Sequence, residues 1–127
     1  FAALNRTLWD ILDRLDGDRA RHLDLVVFPE MFMGREHDYA MGVSSPLIQA
    51  MQSWAARNSV WMVVPHAERA STHPNGRQGF GGGHWYNSAT VIDRKGLVVA
   101  TYRKLNLTPN ERMEGAVAGQ RKRGLDG

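Results

Sequence analysis

Glu30 follows Leu25-Val26-Val27-Phe28-Pro29 directly, so a carboxylate stands at the C-terminal end of a short apolar run. In open α/β sheets that end of the strands is where ligands bind. Partial removal from water there raises a carboxyl pKa toward the range of a general base. A helix-capping or solvated glutamate in the following loop fits the same position. Lys104 closes a second stretch, after Leu97 to Tyr102 and Arg103. An ammonium at a strand end either discourages sheet-to-sheet aggregation or faces a developing oxyanion, which a fixed positive charge stabilises. Glu111 lies in Thr108-Pro109-Asn110-Glu111-Arg112, where it fits the first turn of a short helix and is favoured by the dipole. Glu114 is a nearby carboxylate that competes for any acidic role.

Other chemistries find less support. There are no cysteines, which excludes disulfides, zinc–thiolate sites and thiolate catalysis from within these residues. His22, His37, His66, His73 and His84 form neither HExxH nor a His/carboxylate pair at helical spacing, so no metal is expected and loop or surface positions are. Gly79-Phe80-Gly81-Gly82-Gly83 has no GxxxxGK[ST] and no helix start after it, which favours a flexible loop over a phosphate cradle. No GxSxG elbow is present. Trp9, Trp54, Trp61 and Trp85 lie mostly on apolar faces and read as core.

The elements that must position the charged residues follow from periodicity. Leu4, Leu8, Ile11, Leu12 and Leu15 recur at helical spacing, and Gly17 supplies a stop. Leu25 to Phe28 reads as a strand covered on both faces. Ser45 and Pro46 start a second helix with a stripe of Leu47, Ile48, Met51, Trp54 and Ala55, ended by Asn58. Val60 to Val64 is a second buried strand, closed by Pro65, and residues 66 to 84 form a long loop. Trp85 to Ile92 and Leu97 to Tyr102 flank Asp93-Arg94-Lys95-Gly96 as a hairpin. Alternating helices and strands followed by a hairpin predict an α/β layered fold with a mixed sheet.

Composition is that of an ordinary globular chain: 127 residues, 43% apolar and 23% charged. The net charge of +3 is matched by Arg121, Lys122 and Arg123 in an aperiodic stretch, so the basic excess belongs to a tail over 121–127, expected to be unstructured. A nucleic-acid binder would carry its basic patch on the folded part, and none is expected here. No apolar run reaches the roughly 20 residues of a membrane span, and no signal-peptide pattern precedes the first helix. A cytoplasmic protein without membrane partners is expected. The start at Phe1, already within a helix, reads as that of a fragment.

Taken together, the motifs resemble the nitrilase superfamily of carbon–nitrogen hydrolases. Asp24 to Glu30 resembles its first signature, and Tyr86 to Asp93 through Gly96 to Leu107 its second. Trp54-Ala55-Ala56-Arg57-Asn58 and the strand after it keep the order, and Gly119 falls near a Pro-Gly or Gly-Gly pair common in such proteins. The resemblance covers roughly residues 4 to 120 and implies part of a four-layer α/β/β/α sandwich, with a partial hydrolase domain over 1–120. It implies a Glu-Lys-Cys mechanism on small amide, nitrile or carbamoyl substrates, without a cofactor and commonly in a homo-oligomer. In that mechanism Glu30 is the base, Lys104 binds the oxyanion and Glu111 positions Lys104 or the substrate. The family's cysteine lies a few dozen residues beyond the lysine and is absent, so this chain is expected not to catalyse the reaction as given. The alternative is a catalytically dead member acting as a binding or regulatory module. A nucleic-acid binder resting on Arg121-Lys122-Arg123 would show steep salt dependence.

Overall fold

The computed structural model describes residues 2–30, 32, 45–69 and 85–119. Helix α1 spans Ala2–Leu15 and places Leu8 and Leu12 fully inside. It ends where Gly17 adopts φ +65, and Asp16 accepts a hydrogen bond from the Gly17 N–H before a 3-10 helix over Gly17–His22. Helix α2 (Pro46–Asn58) starts as its sequence dictates. The Ser45 hydroxyl accepts from the Ile48 N–H at 3.2 Å, satisfying one of the first turn's orphan donors, and Pro46 needs none. Leu47, Ile48, Met51, Trp54 and Ala55 are buried, as the stripe requires.

Four strands form one mixed sheet in the order β1-β2-β3-β4. Strand β1 (Leu25–Val27) runs parallel to β2 (Trp61–Arg69), with α2 as the crossover between them. Strands β3 (Trp85–Ile92) and β4 (Val98–Arg103) continue antiparallel, with a bulge between Val91 and Ile92. The hairpin turn is held by the Asp93 carboxylate, which accepts from the backbone N–H groups of Lys95 and Leu97. Gly96 at φ +78 lies against α2, where Gln52 donates its side-chain amide to the Gly96 carbonyl at 2.8 Å.

Because side chains alternate along a strand, the register divides the sheet into two faces. Met62, Val64 and Ile92 turn to one side and join Leu8, Leu12, Ile48, Met51 and Trp54 in a single core cluster. Leu25, Val27, Trp61 and Tyr102 turn to the other. They are exposed, Leu25 by 52% and Val27 by 60%. The described residues thus build an α/β pair of layers, helices on one face of a mixed sheet.

Several expectations are corrected. Strand β1 is covered on one face rather than two, because α1 and α2 both pack on the same side of the sheet. For the same reason Trp61 is exposed and Trp54 is buried, whereas Trp85, on the face of Trp61, is buried against the segment around Glu114. Pro65 does not end β2, which continues to Arg69. Pairing with β1 ends at Val63, so proline falls where its missing N–H leaves no ladder bond unmade on that edge among the described residues. His66 is therefore a buried strand residue, hydrogen-bonded through Nε2 to Thr90 Oγ1 at 2.8 Å, and not a loop histidine. The rest of the expected loop, with His73, Gly79–Gly83 and His84, lies outside the described residues, as do His37 and the 121–127 tail. Among the described residues no helix is long and apolar enough to cross a membrane.

Two of the positive-φ glycines, Gly17 and Gly96, make a comparison that tests this packing. Gly17 at φ +65 has open space around an added Cβ, so Gly17→Ala costs only the left-handed strain of about 1 kcal/mol. At Gly96 the Cβ would also press on the Gln52 backbone oxygen, so Gly96→Ala costs about 3 kcal/mol as the hairpin lifts from α2. Urea denaturation of both variants checks the order; equal losses would contradict it.

Candidate functional site

Strands β1, β2 and β4 point the same way, because two antiparallel steps separate β4 from β2. Their C-terminal ends share one edge of the sheet, which is how residues 74 positions apart can meet. β1 and β4 are three strand spacings apart, about 14 Å, too far for direct side-chain contact. The chain covers the distance by leaving β1 after three residues and turning at Pro29, where Phe32 N–H donates to the Pro29 carbonyl. Glu30 is carried over the sheet's end to Lys104, whose Nζ donates to Glu30 Oε1 at 2.7 Å.

Glu111 arrives on α3 (Pro109–Met113). The helix is only five residues long and is set by a capping box. Thr108 Oγ1 accepts from the Glu111 N–H, and Glu111 Oε2 accepts from the Thr108 N–H at 2.7 Å. That capping arrangement leaves Oε1 to accept from Lys104 Nζ at 3.1 Å. The first-turn acid and the site carboxylate are thus one residue using its two oxygens separately.

Sequence reasoning missed Asn87. It lies in β3 and is buried, and its Nδ2 donates to Glu30 Oε1 and to Glu111 Oε1, both at 2.7 Å. Its backbone carbonyl accepts from the Lys104 N–H at 2.8 Å. An asparagine within a β-branched and aromatic strand was the available signal, since a buried carboxamide needs partners.

Behind the site, on the helix side of the sheet, Glu68 accepts from Ser88 Oγ at 2.8 Å and from the Arg103 guanidinium. Arg103 also lies 4.2 Å over the Tyr86 ring. The next residue, Lys104, therefore leaves an anchored strand end. Gly119 closes the other side, its N–H donating to the Lys104 carbonyl at 2.9 Å and its Cα packed against the Arg103 backbone. A pocket of about 290 Å³ opens here, lined by Glu30, Lys104 and Glu111 with Trp85, Thr108, Asn110 and Glu114. Trp85, expected in the core, is a buried pocket wall whose indole N–H donates to the Glu114 carbonyl. Among the described residues no group of three His, Cys, Asp or Glu is placed to hold a metal ion.

The structure brings Glu30, Lys104 and Glu111 together. It corrects the expected state of Glu30, whose side chain is 61% exposed and whose carboxyl is held below its ordinary value by Lys104 and Asn87. Lys104 is pushed up, chiefly by Glu30. Burial drives Glu111 upward, since its side chain is 12% exposed, yet hydrogen bonds from Thr108, Asn87 and Lys104 together hold it at about 2. A carboxyl lowered on folding contributes stability that is full above its unfolded pKa of roughly 4.3 and lost as pH falls toward 2. The gap in urea stability between the parent chain and Glu111→Gln should therefore be largest near neutrality and be lost as pH falls through about 2. A gap independent of pH would contradict this assignment.

Comparison with known proteins places this geometry. The profile of the carbon–nitrogen hydrolase family matches residues 11–125. No curated protein matches the chain. An N-terminal amidase solved with a Gln-Val peptide aligns over 91% of this chain and 27% of its own, at 20% identity and TM-score 0.67. A CN-hydrolase superfamily protein from Xanthomonas campestris, with an arsenic adduct in its active site, aligns over 94% and 41%, at 20% identity and TM-score 0.68. The NitN amidase from Neterenkonia sp. AN1 aligns over 93% and 45%, at 20% identity and TM-score 0.64. The chain thus spans less than half the length of these structural relatives, whose likeness is one of fold. With its family profile matched over nearly its whole length, the chain belongs to the carbon–nitrogen hydrolases of the nitrilase superfamily.

Proposed function

We propose that Glu30, Lys104 and Glu111 are the base, the oxyanion-binding cation and the supporting acid of a Glu-Lys-Cys hydrolase. Its substrates are small molecules with a non-peptide carbon–nitrogen bond in an amide, nitrile or carbamoyl group. The observation that carries this reading is Lys104 Nζ held between two carboxylates, at 2.7 and 3.1 Å, at the mouth of a pocket. The amidases among the structural relatives support the amide class.

The chemistry runs as follows for an amide. A thiol passes its proton to Glu30 and attacks the carbonyl carbon. The oxygen takes up the electron pair beside Lys104, whose fixed charge stabilises it. The carbon–nitrogen bond breaks as Glu30 returns the proton to the leaving nitrogen, and ammonia departs from a thioester. Water then gives a proton to Glu30 and cleaves the thioester, which regenerates the thiol. Held below its ordinary value by Lys104 and Asn87, Glu30 is a weak base here; covering the site would raise its pKa toward that of a useful one. The uncovered sheet face of Leu25, Val27, Trp61 and Tyr102 is consistent with a second sheet packing there.

These 127 residues contain no cysteine, so the nucleophile of this mechanism comes from sequence outside them. The same fact favours a second reading, a family member that binds ligands in this pocket without turnover. The polypeptide encoded by the whole reading frame separates the two. Under the hydrolase reading it releases ammonia from a primary amide, a nitrile or an N-carbamoyl compound, and Glu30→Gln and Lys104→Met each lower kcat/KM by about 100- to 1,000-fold. Hydrolysis that survives both substitutions would refute the roles assigned. A frame with no cysteine at the site, and binding without turnover, would establish the second reading.

A further inference from the structure

The Glu30, Lys104 and Glu111 cluster has an electrostatic difficulty that the three assigned roles do not resolve. One ammonium faces two carboxylates, and Glu114 adds a third at the pocket wall. Two carboxylates crowded onto one site ordinarily keep a proton between them, because like charges disfavour the second ionisation. A proton retained there would disable Glu30 as an acceptor, since a base must be ionised to take the thiol's proton.

Asn87 answers this with neutral donors. A primary carboxamide carries two N–H groups on one nitrogen. Its Nδ2 lies 2.7 Å from Glu30 Oε1 and 2.7 Å from Glu111 Oε1, the same two oxygens that Lys104 Nζ contacts. Donors and acceptors therefore alternate around a four-membered ring of side chains. The amide orientation is fixed by chemistry, because a carbonyl oxygen facing two carboxylates would be repelled.

Asn87 is also the best-anchored member of the ring. Glu30 sits in a turn after β1, and Glu111 on a five-residue helix. Asn87 lies within β3, opposite Ala67 on β2, and its carbonyl holds the Lys104 N–H. A group on a paired strand holds its geometry more precisely than one on a loop or turn.

We propose that Asn87 is a positioning residue that donates one carboxamide proton to each glutamate, holding Glu30 and Glu111 ionised on either side of Lys104. The proposal rests on the hydrolase reading for its meaning, since the role is to keep the base ready. Glu111 at about 2 and the lowered Glu30 agree with it, Asn87 being among the causes in both. An asparagine whose amide protons were satisfied elsewhere would leave the titration of both glutamates unchanged.

The experiment is a pH titration of the chain with ¹³C at the glutamate side-chain carboxyl carbons, followed by NMR. In Asn87→Leu, which keeps the branched shape and removes both donors, the midpoints of Glu30 and Glu111 rise, that of Glu111 by about one pH unit. Unchanged midpoints in a folded variant overturn the proposal. Should Asn87→Leu fail to fold, the unsubstituted chain decides. The two Asn87 side-chain amide protons are expected to titrate in step with Glu30 and Glu111, and protons indifferent to both overturn the proposal. Neither readout depends on turnover, so its failure is separate from failure of the hydrolase reading, which rests on ammonia release.

Discussion

One ammonium group organises this site. Lys104 is drawn to Glu30 and Glu111 at once, and each carboxylate is drawn to the same charge. Exposed ion pairs contribute little to stability, and Glu30 is mostly exposed. The Glu30–Lys104 pair is therefore better understood as an arrangement the fold imposes than as one that holds the fold together. The core of Leu8, Leu12, Ile48, Met51, Trp54 and Met62 does the latter, on the far side of the sheet.

What the fold supplies is convergence. The same strand direction for β1 and β4 brings Glu30 and Lys104 to one edge. The turn at Pro29 then crosses the width of two strands, and the capping box at Thr108 delivers the third side chain. Arg103 and Glu68, on the helix side, tie β4 to β2 just where Lys104 leaves the sheet. Gly119 packs on that same strand end from the other direction, and a side chain there would press on the Arg103 backbone. Each device is modest, and all of them act on the position of one lysine.

Much of this was legible in the sequence because strand ends announce themselves. Leu25 to Phe28 before Pro29 and Glu30, and a β-rich hairpin before Lys104, place both charges at strand termini. Pro46 after Ser45 located a helix start in the same way, and Thr108-Pro109-Asn110-Glu111-Arg112 read as the first turn of a short helix, whose cap the structure shows to be Thr108. Other features depend on which residues meet across the fold. Pro65 reads as a strand end locally, yet it falls beyond the reach of β1, where a missing N–H is tolerated. The lowering of Glu30 rather than its raising depends on Asn87 and Lys104, 57 and 74 residues away. Apolarity on both faces of β1 was visible, but not that both helices pack on one face.

That uncovered face bears on the site as well as on the fold. Asn87 and Lys104 belong to the same side of the sheet as Leu25, Val27 and Tyr102, so whatever packs there also shields the charged cluster from water. In the proposed reaction, such shielding would strengthen the hold of Lys104 on a developing oxyanion. The most direct test of the central claim is an experimental structure of the nucleophile-bearing polypeptide with a substrate carbonyl trapped as a covalent adduct. The account predicts the adduct oxygen within hydrogen-bond distance of Lys104 Nζ, with Glu30 beside the sulfur. An adduct whose oxygen is held elsewhere, with Lys104 still closed between Glu30 and Glu111, would contradict it.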